Sequence, residues 1–321
     1  MRWVPFVPLL IAFIAPDARA CLWDKDTIAA ENARFPGVQE ILTGNFPRHS
    51  REFYEWRKAG TEKAISEDPS RIALYDDLAV AQHKLGDHQA AIETMKRKES
   101  IKAGVYETYS NMGTFYIYTG ELSQALWCID KALQINPNAH FGREKYQKWI
   151  IEWLMVGKKD DELRMTDHLK FAPTGYAAFV LSRQPITARK TMTEALRKEA
   201  VNGVLGMMRF ADFDNSILQE ALGDLLMTGE PEANATHYAT MAYTHAAAKT
   251  TDPASQQRLL EKAKVASSTI LITNQEGPPK ILQKELEKGQ KLAATIRKEE
   301  MEWIAANKDA SAEFQKKYLK P

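Results

Sequence analysis

The chain has 321 residues, 44% hydrophobic and 26% charged, a balance that excludes a disordered polymer of low hydrophobicity and high net charge. Its 43 Lys and Arg face 42 Asp and Glu. That balance gives no support to the concentrated basic face that nucleic acid or an anionic membrane would require.

The first twenty residues read as a secretory signal. Arg2 supplies the positive start, Val4 to Ala15 forms an apolar stretch, and Ala18-Arg19-Ala20 places small residues where a signal peptidase cuts. The stretch is shorter than the ~20 apolar residues a bilayer span needs, and no later segment is long and apolar enough to span. Export to a periplasmic, cell-envelope or secreted location is therefore expected. Cleavage after Ala20 removes Arg2, Arg19 and Asp17, brings the mature chain near neutrality, and makes Cys21 its first residue. A lipid anchor on Cys21 is disfavoured by the charge of Arg19 just before the cut. The other cysteine, Cys128, is either a disulfide partner for Cys21 or a small apolar filler on a packed helix, and the filler is the preferred reading.

Residues 21–50 read as an N-terminal cap, with Gly44, Phe46 and Pro47 poorly suited to a helix, and a helix follows over about 52–68. Two segments then align without a gap at a spacing of 34 residues. Tyr75, Leu78, Ala79, Gly86, Asp87, Ala91, Ile92 and Met95 fall opposite Tyr109, Met112, Gly113, Gly120, Glu121, Ala125, Leu126 and Ile129. Tyr109, Met112, Gly113 and Tyr116 share one helical face, where Gly113 admits a close neighbour. Gly120 ends that helix, Ala125, Ile129 and Ala132 form the facing stripe, and Pro137 stops the pair.

These offsets resemble the tetratricopeptide repeat, over residues 106–139 at nearly every position and over 72–105 less fully, since Gln82, Lys98 and Ala103 depart from the pattern. The resemblance implies an all-α fold of tetratricopeptide-like helical hairpins stacked as an α-solenoid. It also implies a concave groove for a protein or peptide partner. The groove would be lined by Asp76, Val80, His83 and Lys84 from the first repeat. Ser110, Asn111, Thr114, Ile117 and Tyr118 come from the second, and Glu144, Lys145 and Lys148 from the next helix. Asp76 and Val80 stand where the family's clamp for a C-terminal carboxylate has lysine and asparagine, which argues against that ligand.

Repeat helices are expected over 51–156, the last of them apolar and carrying Tyr146, Trp149 and Trp153. Residues 157–186 read as a connection with short helices near 162–170 and 175–183. From 187 to 275 degenerate helical repeats are expected, with helix starts at Asp214-Asn215-Ser216, Pro231 and Asp252-Pro253. A charged capping helix closes the chain within 276–321.

No catalytic group or cofactor is expected. The seven histidines show no metal-ligand spacing, and His83 with Asp87 and His237 with His245 read as exposed helix residues. There is no Gly-rich phosphate loop and no nucleophile elbow. Glu152, between Trp149 and Trp153, is the one carboxyl with an apolar setting, and it reads as solvent-facing. The leading expectation is a binding scaffold. The alternatives are an enzyme in the 187–275 region, or a small-ligand site on the Tyr146, Trp149 and Trp153 cluster.

Overall fold

Side-chain caps and small-residue crossings set the helices of this chain. The structure is a computed structural model that describes residues 22–138, 142–158, 162–167, 170–188, 191–229, 233–268 and 277–319. The expected secretory signal and Cys21 lie outside the described residues.

Helix α1 (Lys25–Glu31) starts at Asp24, whose carboxylate accepts the Thr27 amide at 2.7 Å. A short α2 (Val38–Leu42) follows, and then an extended stretch to Ser50. Ser50 caps α3 (Arg51–Glu67) through the Phe53 amide. The two aligned segments form α4 (Ala73–Lys84) with α5 (His88–Ile101), and α6 (Tyr106–Tyr118) with α7 (Leu122–Ile135). Gly86 and Gly120 both turn the chain at positive φ, 94° and 79°, the conformation their place after a helix requires.

The α6–α7 crossing is as tight as the small residues imply. A Cβ on Gly113 would lie 2.5 Å from Ile129 Cδ1, while Ala125, Ile129 and Ala132 are fully buried. Burying a side chain the size of Ile129 contributes roughly 1.5–3 kcal/mol. Tyr75, Ala79 and Ala91 are likewise buried in the first repeat, and Tyr109 and Tyr116 are half-buried against that cluster. Pro137 is exposed just beyond the end of α7.

Helix α8 (Arg143–Met155) packs on α7 and carries Trp153 fully into the core. The connection differs from expectation. Residues 165–167 and 170–171 form a small antiparallel hairpin (β1 Met165–Asp167, β2 Lys170–Phe171) where a helix near 162–170 was expected. Buried Phe171 also exchanges backbone hydrogen bonds with Gly229, at 2.8 and 2.9 Å. This long-range bridge fixes the segment as extended, and no local periodicity encodes it.

Helix α9 (Gly175–Ser182) matches the expected 175–183. Then come α10 (Glu194–Phe210), α11 (Ser216–Leu226), α12 (Ala233–Lys249) and α13 (Pro253–Ser268). Asn215 caps α11 through the Ile217 and Leu218 amides, both at 3.0 Å. Leu222, Leu225, Ala242 and Tyr243 face inward as expected, and Tyr238 is partly buried.

The last two helices, α14 (Pro278–Ala305) and α15 (Ala310–Tyr318), return to the beginning of the chain. The closing helix α14 lies against α12, α2 and α3 rather than beside a free end. Its buried Glu300 accepts the Ser50 amide at 2.8 Å and meets His49 Nδ1 at 2.6 Å. Ser311 of α15 donates to Asp26 of α1. The stack is thus an all-α helical-repeat fold whose two ends touch.

Candidate functional site

The face that the repeat offsets mark as a groove is already filled. Leu22 is fully buried among Tyr75, Leu78, Met112 and Phe115. The Asn111 side chain takes both backbone groups of Trp23, accepting its N–H at 2.8 Å and donating to its carbonyl at 2.9 Å. Asp77 accepts the Lys25 amide at 3.2 Å, and the Trp23 ring stands edge-on to Tyr106 at 5.7 Å. Further along, Asp26 meets Arg57 at 2.5 Å, Arg143 pairs with Glu31, and Arg209 donates to the Ala30 carbonyl at 2.8 Å. An amide side chain that satisfies both polar groups of one residue grips backbone regardless of its side chain.

Most of the expected groove residues are consequently buried, which corrects the expectation of an open face. Asp76 is buried and paired with Lys98 at 2.6 and 2.8 Å, so the lysine that breaks the repeat pattern has an internal carboxylate partner. Burial pushes the Asp76 carboxyl up to about 7 even though Lys98 opposes the shift. Val80 and Ile117 are core residues. His83 is buried with its ring against Phe115 and Tyr118, and its Nδ1 lies 3.1 Å from that of His88. Lys84 donates to the carbonyls of Phe210 and Ala211 at 2.9 and 2.7 Å. Ser110 donates to Glu144 at 2.8 Å, Tyr106 also donates to Glu144, and Thr114 accepts from Gln147 at 3.4 Å. Ser110, Asn111, Thr114 and Glu144 are all fully buried. Tyr118 is half-buried, Lys145 reaches Glu199 at 3.5 Å, and Lys148 reaches Asp130 at 2.6 Å.

The other candidates resolve into packing and pairing. Trp153 is fully buried and stacks near Tyr176 at 5.4 Å, while Tyr146 stands edge-on to Trp149 at 5.2 Å and donates to Glu199. The cluster is therefore part of the core rather than an open ligand surface. Glu152 is flanked by Arg183 at 3.1 Å and Lys148 at 3.9 Å. His245 is buried, not exposed, with Nε2 2.7 Å from Asp214, and Asp87 caps α5 through the Ala90 amide. Cys128 is buried and burial pushes its thiol up to about 12, which fits the small apolar filler. Among the described residues no three His, Cys, Asp or Glu side chains are grouped to hold a metal ion, and no helix is long and apolar enough to cross a membrane.

Sequence reading missed the occupant itself. Asp24 followed by a helical run is a legible cap signal, but nothing local shows that Leu22 and Trp23 lodge against Asn111. The seat has a pH dependence that can be signed. Burial, with Asp26 and Asp77 beside it, raises the Asp24 carboxyl to about 6 from 3.8. Folding therefore takes up a proton here, and stability falls as pH rises through that window. Asp24→Asn keeps the cap acceptor and stays neutral. It is expected to be about 1–2 kcal/mol more stable than the parent above pH 6 and equal to it below pH 4. Urea unfolding at pH 4 and pH 8 measures this, and a variant less stable at pH 8 would contradict it.

Comparison with known proteins agrees with the local pattern. Residues 106–139 match the family described as tetratricopeptide repeat. No curated protein matches the chain.

Proposed function

We propose, from the tetratricopeptide repeat at 106–139 as premise, that this chain is a protein-binding scaffold whose concave face takes an extended peptide. Repeats of this family support protein–protein interaction in general. One observation carries the finer reading: the face already holds a peptide segment, residues 22–25, largely through its backbone. A partner strand of similar chemistry, an aliphatic and an aromatic residue ahead of an acidic one, would meet the same donors and acceptors. We further propose that the first twenty residues direct export, so that the scaffold works outside the cytoplasm. Its groove is then closed by the segment that follows the cut.

The exchange can be tested directly. Leu22→Ala with Trp23→Ala should loosen the resident segment while leaving Asn111 and Asp77 in place. A labelled peptide of residues 22–32 is then expected to bind this variant at least tenfold more tightly than the parent chain, read by fluorescence anisotropy. Equal affinity for both proteins would remove the groove from the proposal.

A further inference from the structure

Where the returning C-terminal helices meet the repeats, the fold encloses a cavity of about 300 Å³. Its wall combines α1, the chain leading into α3, the end of α4, the turn after α10, and Phe314 of α15. None of the expected partner residues except Lys84 reaches it.

Two arginines in this wall are held in an unusual way. The Arg48 guanidinium lies 4.8 Å over Phe213 and 5.7 Å over Phe46, and it donates to the Gly44 carbonyl. That of Arg209 lies 4.9 Å over Phe210 and 5.0 Å over Phe35, and it donates to the Ala30 carbonyl. Among the described residues neither has a carboxylate at ion-pair distance. Arg209 Nη1 is buried with no acceptor at all. Burial, with Arg143 and Arg34 nearby, pushes Arg209 down to about 10, and burial also lowers Arg48. A guanidinium offers five N–H donors in a planar fork matched to a carboxylate, and leaving such donors buried and unmet is costly.

The other charges facing the cavity are engaged elsewhere. Asp26 is held by Arg57 and Ser311, Asp24 caps α1, and Asp212 accepts the Asp214 amide. Arg51 pairs with Glu55, His49 with Glu300, and Lys84 with two carbonyls. The remaining wall is apolar, with Phe46 and Phe210 nearly buried and Met208 fully so. Two fixed guanidinium groups beside aromatic faces describe a site for an anionic head on an apolar body. The volume suits a small organic molecule.

We propose that this cavity binds a small monocarboxylate, its carboxylate held by Arg48 and Arg209 and its body against Phe46, Phe210 and Phe213. The site is separate from the peptide face and stands or falls without it. Isothermal titration and thermal shift on the full chain test it with benzoate and hexanoate, each paired with its neutral amide. At least one acid is expected to bind and raise Tm saturably, with its amide at least tenfold weaker. Arg48→Met and Arg209→Met should each weaken that acid at least tenfold. Both are expected to fold, because replacing a buried charge that lacks an acid partner with an apolar chain of similar length is seldom destabilising. Arg209→Lys, which keeps the charge but not the fork, should give an intermediate loss and carries the test should a methionine variant fail to fold. Neither acid binding the parent chain, amide and acid binding alike, or affinities unchanged in the variants would each overturn the assignment.

Discussion

Replacing Glu220 with glutamine is expected to cost about 3–5 kcal/mol at pH 7. Glu220 is fully buried on α11, and its two oxygens gather three cations. Lys262 donates at 2.9 Å, Lys158 at 2.8 Å, and Arg258 donates to both oxygens. Burial opposes the charge, yet Lys262 and Lys158 outweigh it and hold the carboxyl well below the usual range. Glutamine would keep the shape and leave Lys262, itself buried, with Asp224 alone at 2.9 Å. Asp224 is a weak substitute, since burial raises its carboxyl to about 6. The sign with pH follows from the depressed carboxyl. Its stabilisation is complete above the free value of 4.5 and is lost as pH falls toward the folded value. Urea midpoints for parent and variant should therefore differ widely at pH 7 and draw together at pH 3. A variant with an unchanged midpoint at pH 7 would show that the cluster does not hold α11 to α13.

The second large effect is expected at Gly289 on α14. Glycine inside a helix is ordinarily replaced by alanine with a gain of about 1 kcal/mol. Here a Cβ would stand 2.5 Å from the Thr43 carbonyl oxygen and 2.8 and 2.9 Å from the Gly44 carbonyl atoms. These are backbone atoms, so no rotamer change relieves the overlap, unlike the flexible Ile129 tip that faces Gly113. Gly289→Ala is expected to destabilise by about 1–3 kcal/mol, and Gly289→Val by more. Proteolysis within α14 should accelerate in step with the lowered urea midpoint. A stabilised alanine variant would mean that α14 does not sit against residues 43–44.

Much of the helical architecture was legible because its causes are local. Gly113 opposite Ile129, Gly120 at the turn and the caps at Ser50 and Asn215 each act within one helix pair or one helix end. The hairpin at 165–171 was not legible, because it depends on Phe171 meeting Gly229 far along the chain. The groove failed for the same reason. The offsets placed Asn111, Thr114 and Glu144 on one face correctly enough, but a face chosen by helical period says nothing about what covers it. Leu22 and Trp23 come from about ninety residues away to do so. Lys98 looked like a departure from the repeat, whereas its burial against Asp76 shows a charge pair filling an alanine position. Arg48 and Arg209 carried no sequence signal. They lie on elements that become neighbours only when the chain returns on itself.

That return changes how the molecule should come apart. A linear array loses order from its outermost units inward, because each unit leans on neighbours along one direction only. Here the first and last helices brace each other through Glu300 with Ser50 and through Ser311 with Asp26. No unit is outermost. Heat or denaturant should find no place to begin peeling, and the repeats should give way in one cooperative step.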